Sequence, residues 1–292
     1  MTSSKSFTAK PNRIKKEYVD LHMHSTFSDG ALTVEELLYK AKNANLNTIS
    51  ITDHDNLDAY ETGLPLAQTL GINFVPGVEI SAVYEGRDIH ILGYFYDHTN
   101  LALHMEIREQ SKRRQSRGKS ILKKLKTLGI NLSWEKVLTY SKHGVVGRPH
   151  IAMAMQKEEY VDSFAEAFQK YLGDGAEAYV EKKGISIEQT IALIRSAGGI
   201  SVLAHPHRSG IDELIPQMAE WGLGGIETFC HSQKGVANKR YRELAKRHDL
   251  VCSGGSDFHS DNGSCRLGGL KIPHSVIEQL QNKLEHQKAD WL

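Results

Sequence analysis

Hydrophobic positions along this chain follow two rhythms. Short, β-branched runs at 18–21, 48–52, 73–75, 89–92, 200–204, 226–229 and 250–253 read as strands. Several are apolar throughout, as strands of a buried parallel sheet should be. Between them lie longer amphipathic stretches with readable ends. Thr33-Val34-Glu35-Glu36 is a capping box opening a helix to about Ala44, and Ser186-Ile187-Glu188-Gln189 opens another. Gly71 and Gly129 follow apolar helix ends, where a residue without a side chain takes the left-handed turn at little cost. The alternation predicts βα units in an α/β fold, and their number fits a barrel or barrel-like closed sheet better than an open, doubly wound one.

The alternation stops from 101 to 182, where only helical periodicity remains, at 101–128, 134–140, 150–156 and 164–171. This divides the chain into a barrel domain from 17–100 and 183–292, with a helical insertion at 101–182. The polar residues 1–16 are expected to form a mobile extension.

Composition adds boundaries. Hydrophobic residues make up 40% of the 292 and charged ones 24%, ordinary for a soluble globular protein and against general disorder. No run reaches the roughly 18 apolar residues of a membrane span, and residues 1–16 lack an apolar signal core, so the expected address is the cytoplasm with no membrane partner. Three cysteines without Cys-x-x-Cys spacing indicate neither a disulfide framework nor a zinc knuckle. The net charge of +1 is uninformative, and no obligate protein partner is evident. Charge is uneven, however: 108–126 holds nine Lys/Arg and one acid, Glu109. Such a run is most often a solvated helix face, and it could guide a polyanion if it faced the barrel mouth.

The strongest chemical signal is Asp20-Leu21-His22-Met23-His24. Strand alternation sends both imidazoles to one side and Leu21 and Met23 to the other. Asp29 follows in a loop from which a harder ligand can reach the same space. One His-x-His pair is weak evidence in a chain with 15 histidines. Recurrence strengthens it: His54 in Thr52-Asp53-His54-Asp55, Glu79, His90, His205 and Asp257-Phe258-His259 all sit on or at the ends of other predicted strands. Caps and core filling do not explain six histidines and three carboxylates so placed, and metal binding does. Two metals about 3.5–4 Å apart can share a hydroxide and bind phosphoryl oxygens, which is hydrolytic chemistry. Asp53 and Asp55, which flank His54, are expected to orient a ligand imidazole through its other nitrogen.

These motifs, His22-x-His24 with Asp29, Thr52-Asp53-His54-Asp55, Gly77-x-Glu79, His90, Ala204-His205-Pro206 and Gly255-Ser256-Asp257-x-His259, resemble those of the polymerase and histidinol phosphatase (PHP) family over nearly the whole chain. The resemblance implies a distorted (β/α)7 barrel with a trinuclear metal centre. By motif, His22, His24, Glu79 and Asp257 hold one ion, and Glu79 bridges to a second held by His90 and His205. Asp29, His54 and His259 hold the third. Mixed nitrogen and carboxylate donors suit manganese, with iron or zinc as alternatives.

Arg148, in Gly147-Arg148-Pro149-His150, is a candidate phosphate clamp, since a guanidinium can grip phosphate with two parallel bonds. The otherwise expected use of such an arginine is pairing with a surface carboxylate. The insertion carrying it resembles that of the TrpH-like branch, which includes nucleoside 3′,5′-bisphosphate phosphatases and an exoribonuclease acting from the 5′ end of short RNAs. That resemblance implies a nucleotide or short RNA substrate, with Arg148 on its phosphate. His231, just past a predicted strand, could donate to a phosphate or protonate a leaving oxygen, or serve behind the ligands. A histidinol-phosphatase-like phosphomonoesterase, a metal-dependent amidohydrolase and a non-enzymatic metal-stabilised module are the other readings.

Overall fold

The computed structural model describes residues 17–141, 145–230, 235–262 and 265–289. In chain order it runs β1 (Tyr18–Asp20), α1 (Val34–Asn43), β2 (Leu46–Ile49), α2 (Asp58–Leu70), β3 (Asn73–Phe74), β4 (Gly77–Tyr84) and β5 (Arg87–Tyr94). Helices α3 (Leu101–Thr127), α4 (Trp134–Leu138), α5 (Arg148–Lys157) and α6 (Phe164–Ala167) follow. The chain then returns through α7 (Ile187–Ser196), β6 (Ile200–Leu203), α8 (Ile215–Glu220), β7 (Gly225–Phe229), α9 (Gly235–Arg247), β8 (Val251–Gly254), β9 (Ile272–Pro273) and α10 (Ser275–Ala289).

Local chemistry sets the ends of these elements. The Thr33 hydroxyl accepts from the Glu36 amide while the Glu36 carboxylate accepts from the Thr33 amide, closing the expected capping box on α1. Ser186 and Gln189 do the same on α7. Gly71, with φ of 65°, ends α2. Pro149 stands in the first turn of α5, where its missing N–H costs nothing. The stretch 164–171 is not one helix: α6 widens into a π turn at Phe168–Leu172.

The strands form two sheets, in the orders β3-β2-β1-β9 and β4-β5-β6-β7-β8. Pairing is parallel within β1-β2-β3 and within β6-β7-β8. It is antiparallel at β1-β9, β4-β5 and β5-β6. Isolated parallel bridges, Met23 to Phe258 and His54 to Glu79, link the two sheets. The fold is thus mixed α/β, and among the described residues the ladders do not run as one continuous ring. A uniform run of βα units was the expectation, and it fails at β4-β5. There Glu85 and Gly86, with φ of 49° and 76°, make a two-residue turn and Gly77–Tyr84 folds straight back on Arg87–Tyr94.

Helices α1 and α2 cover the first sheet, burying Leu37, Leu38, Ala41 and Ala67 with Ile49 and Phe74. Each fully buried leucine contributes roughly 1.5–3 kcal/mol relative to exposure. Helices α7 and α8 bury Ile191, Ile194 and Met218 against the second. Helices α3 to α6 have a core of their own, including Ile121, Leu125, Val137, Ile151, Met155 and Leu172. The first part of α3 is pinned to β4, where the buried Gln110 amide donates to the Ser81 carbonyl at 2.9 Å.

Candidate metal centre

Beyond β1 the chain stays extended, so Leu21 and Met23 enter the core while His22 and His24 turn the other way, all four buried. The end of β8 lies against this segment, with Asp257 N–H donating to the His22 carbonyl at 2.8 Å. Only glycine fits at position 255, because a Cβ there would lie 2.3 Å from the backbone nitrogen of His22. Two of the proposed ligands, His205 and Asp257, have φ of 26° and 52°. Backbone in this region is costly for residues with side chains and concentrates at functional sites.

All nine expected ligands come together. They form four overlapping groups: His22, His24 and Asp257; His22, Glu79 and His205; His54, Glu79 and His90; and His24, Asp29, His54 and His259. The His22 and His24 Nε2 atoms are 3.2 Å apart. Each is 3.2 Å from Glu79 Oε2, and they are 3.5 and 3.4 Å from Asp257 Oδ1. A tetrahedral ion at roughly 2.0–2.2 Å from its donors has edges of about 3.3–3.6 Å, so these atoms stand at ligand separations. The other Glu79 oxygen lies 2.8 Å from His90 Nδ1 and 2.9 Å from His205 Nε2. His259 Nε2 and Asp29 Oδ1 are 3.4 Å apart. Asp29 Oδ1 and His54 Nδ1 are buried without a hydrogen-bond partner, as expected of atoms reserved for cations. These residues therefore fit divalent metal ions by donor type, spacing and unsatisfied polarity.

The electrostatics agree. Burial opposes charge on Glu79, Asp29 and Asp257, yet the surrounding imidazoles hold all three carboxyls well below their ordinary range. Burial likewise opposes charge on His24 and His90, but neighbouring carboxylates push them up to about 10 and about 9. His22 is raised well above its usual value against its burial by Glu227, Glu79 and Asp257. His54 falls to about 3, through burial and the positive fields of His24 and His90 outweighing Glu79 and Asp29. Without cations the carboxylates favour protons on His22, His24 and His90, so binding metal there releases protons.

The residues behind the ligands differ from expectation. Asp53 accepts from the Ser25 amide and from the hydroxyls of Ser25 and Ser28, fixing the loop after His24. Asp55 accepts from Arg114 at 2.5 Å and from the Ser81 amide. Each therefore braces its surroundings rather than a ligand imidazole: Asp53 is taken up by Ser25 and Ser28, and the backbone turns at Asp55, whose φ is 46°, toward Ser81 and Arg114. The orienting carboxylate is Glu227, fully buried on β7, at 2.9 Å from His22 Nδ1 and accepting from the His205 amide at 2.7 Å. Its place within the predicted strand 226–229 was the available signal. Lys182, also buried, meets Asp88 at 2.5 Å, and Asp88 lies 3.1 Å from His90 Nε2.

Arg148 lines a cavity of about 280 Å³ with His54, His90, Arg114, Arg117 and Arg208. It donates to Asp174 at 2.8 Å, so the surface pairing and the cavity position are both present. The basic stretch splits by face: Arg114 and Arg117 line the cavity, whereas Arg113 pairs with Glu106. Arg208 donates to Asp257 Oδ2 at 3.1 Å. His231 lies outside the described residues, as do residues 1–16. No helix among the described residues is long and apolar enough to cross a membrane.

Comparison with known proteins matches this architecture. The chain is 36% identical over 269 residues to the 5′-3′ exoribonuclease Rnm of Salmonella typhimurium, covering 88% of this chain and 90% of that one. It is 30% identical over 263 residues to a 3′,5′-nucleoside bisphosphate phosphatase of Chromobacterium violaceum, covering 88% and 91%. The fold superposes with a TM-score of 0.84 on a Bifidobacterium adolescentis protein described as a candidate metal-dependent phosphoesterase, at 28% identity over 91% of this chain and 96% of that one. Residues 20–187 match the family described as the PHP domain, and this chain belongs to that family.

Proposed function

We propose that this PHP protein is a metal-dependent phosphoesterase of nucleotides, acting as a 3′,5′-nucleotide bisphosphate phosphatase, a 5′-to-3′ exoribonuclease on short RNA, or both. One observation carries the reading: a nest of six histidines and three carboxylates opens into a cavity lined by four arginines. The activities named for the two relatives point the same way. The donor sets suit three divalent ions, manganese first, then iron or zinc, partitioned among the nine ligands as the family motifs imply. Bound there, such ions generate a nucleophile at neutral pH and neutralise charge on the phosphoryl group.

The chain's own residues supply the rest. Glu79 offers both oxygens between neighbouring groups, and Glu227 fixes the His22 ring so that Nε2 faces the cluster. Arg148, with Arg114, Arg117 and Arg208 beside it, provides guanidinium donors for a phosphate that the ions do not hold. We assign the two bridged sheets, 17–100 and 183–292, to a distorted (β/α)7 barrel and 101–182 to an inserted helical domain. The separate core of α3 to α6 supports that division.

The test offers manganese-loaded protein adenosine 3′,5′-bisphosphate, a 5′-phosphorylated short RNA, histidinol phosphate and a simple amide, with Asp257→Ala as control. Hydrolysis of either nucleotide substrate, lost in the control, is the expected outcome. Failure on both sinks the proposal, and equal activity of the control removes the metal assignment.

A further inference from the structure

A second, larger cavity of about 770 Å³ opens beside the first, at the His259 edge of the metal centre. Its wall is mainly apolar and aromatic, including Tyr140, Pro149, Met153, Phe164 and Phe168. This volume is ordinary for a small-molecule pocket. Asp29, Pro149 and Phe168 line both cavities, whereas His54 and His90 line only the arginine-rich one and His259 only the apolar one. The two cavities therefore adjoin, the arginines at the His54 and His90 edge of the ligand cluster and the apolar chamber at its His259 edge. Phe164 is 40% exposed, with its ring 5.1 Å from that of Phe168, so two aromatic faces are offered where solvent can enter.

The two reactions proposed above break the same bond. Water adds to phosphorus, the P–O3′ bond opens, and O3′ takes a proton to leave as the hydroxyl of a nucleoside 5′-monophosphate. What differs is the group beyond phosphorus: nothing further in a 3′,5′-bisphosphate, the next nucleoside joined through its O5′ in RNA. With the terminal 5′-phosphate on the arginines and the reacting phosphorus at the ligand cluster, the chain continues past His259. We infer that the apolar chamber is the subsite for the base of that second nucleotide, stacked on Phe164 and Phe168. The inference rests on the phosphoesterase reading and makes RNA, rather than the bisphosphate, the substrate that fills the site. Base stacking on an aromatic ring is indifferent to sequence, which suits an enzyme that must accept each nucleotide in turn.

The experiment compares Phe164→Ala and Phe164→Tyr with the wild type as manganese-loaded proteins. Substrates are adenosine 3′,5′-bisphosphate and 5′-phosphorylated diadenosine. The ratio of kcat/KM for the dinucleotide over that for the bisphosphate is expected to fall roughly tenfold in the alanine variant, the loss of one stacking partner, and to recover in the tyrosine variant. Calorimetric binding of analogues with a methylene group in place of O3′, one with and one without the second nucleoside, repeats the comparison without turnover. Equal losses on both substrates place the first base in the chamber and overturn the inference, as does an unchanged ratio with unchanged analogue binding. Absence of hydrolysis in the wild type defeats the proposed function instead, while the analogue binding still decides the subsite.

Discussion

Replacing Glu227 by glutamine exchanges one carboxylate oxygen for an amide group inside a fully buried side chain. Both Glu227 oxygens are engaged: Oε1 faces His22 Nδ1 at 2.9 Å and Oε2 accepts from the His205 amide at 2.7 Å. Glutamine has one acceptor for these two positions. If its oxygen keeps the His205 amide, its NH2 faces His22 Nδ1 and forces that nitrogen to accept. The His22 proton then moves to Nε2, which stands among His24, Glu79 and Asp257. If the amide flips, the NH2 opposes the His205 N–H and the turn carrying that ligand must give.

Either arrangement harms a metal ligand, and loss of such a supporting group costs 10–100-fold in metal affinity, about 1.4–2.8 kcal/mol. The folded, metal-free chain responds differently. Glutamine takes one carboxylate from beside the buried His22 but leaves Glu79 and Asp257 facing it, so the metal-free melting temperature should fall without loss of the fold while manganese affinity, measured by competition with a chelator, drops at least tenfold. An Ala variant adds a cavity and cannot separate these effects. Wild-type manganese affinity in Glu227→Gln would refute the tautomer argument, and a collapse of the metal-free fold would make Glu227 structural.

Manganese affinity should rise with pH through the values of about 10 and 9 that His24 and His90 hold without metal, because those protons must leave; calorimetry in buffers of different ionisation enthalpy reads the release, and none at pH 7 contradicts the prediction. Since both values lie above the ordinary ~6.5, the metal-free fold has their stabilisation in full below that pH and loses it as pH climbs toward 10, so its melting temperature should fall across that window more than that of the loaded protein. Gly255→Ala puts a methyl 2.3 Å from the His22 backbone and should destabilise by about 1–3 kcal/mol while lowering metal content by mass spectrometry. Arg117→Gln should raise KM for 5′-phosphorylated RNA roughly tenfold and flatten its salt dependence, whereas Arg113→Gln, paired with Glu106 rather than lining the cavity, should stay within about twofold. Arg114 is a poor place for that test, because removing its charge leaves the buried Asp55 without its guanidinium partner.

Much of the fold was legible because its signals are local. Thr33 with Glu36 and Ser186 with Gln189 are capping boxes, and Gly71 caps a helix, whatever surrounds them. Strand runs were legible from composition for the same reason. Pairing was not, since Ile89–Leu92 has the same apolar face whether it joins a parallel or an antiparallel neighbour. Only the two-residue turn at Glu85 and Gly86 decides, and it lies in a stretch with little else to mark it.

The proposed ligands were legible for a different reason: strand ends repeat a polar residue where an apolar one was due, and eight such exceptions, joined by Asp29 from its loop, converge only if they share a purpose. Their supporting groups break no pattern. Glu227 sits between Ile226 and Thr228 like any alternating strand residue, and its role exists only because β6 and β7 are neighbours. Arg114 and Arg117 read as part of a solvated run, because the sequence does not say which side of α3 packs toward the cluster. One helical turn separates them, so they share a face, and Gln110 one turn earlier donates to β4 and fixes that face inward. The positive charge facing the cavity therefore follows from one buried amide, and changing Gln110 should disturb phosphate binding without touching a charged residue.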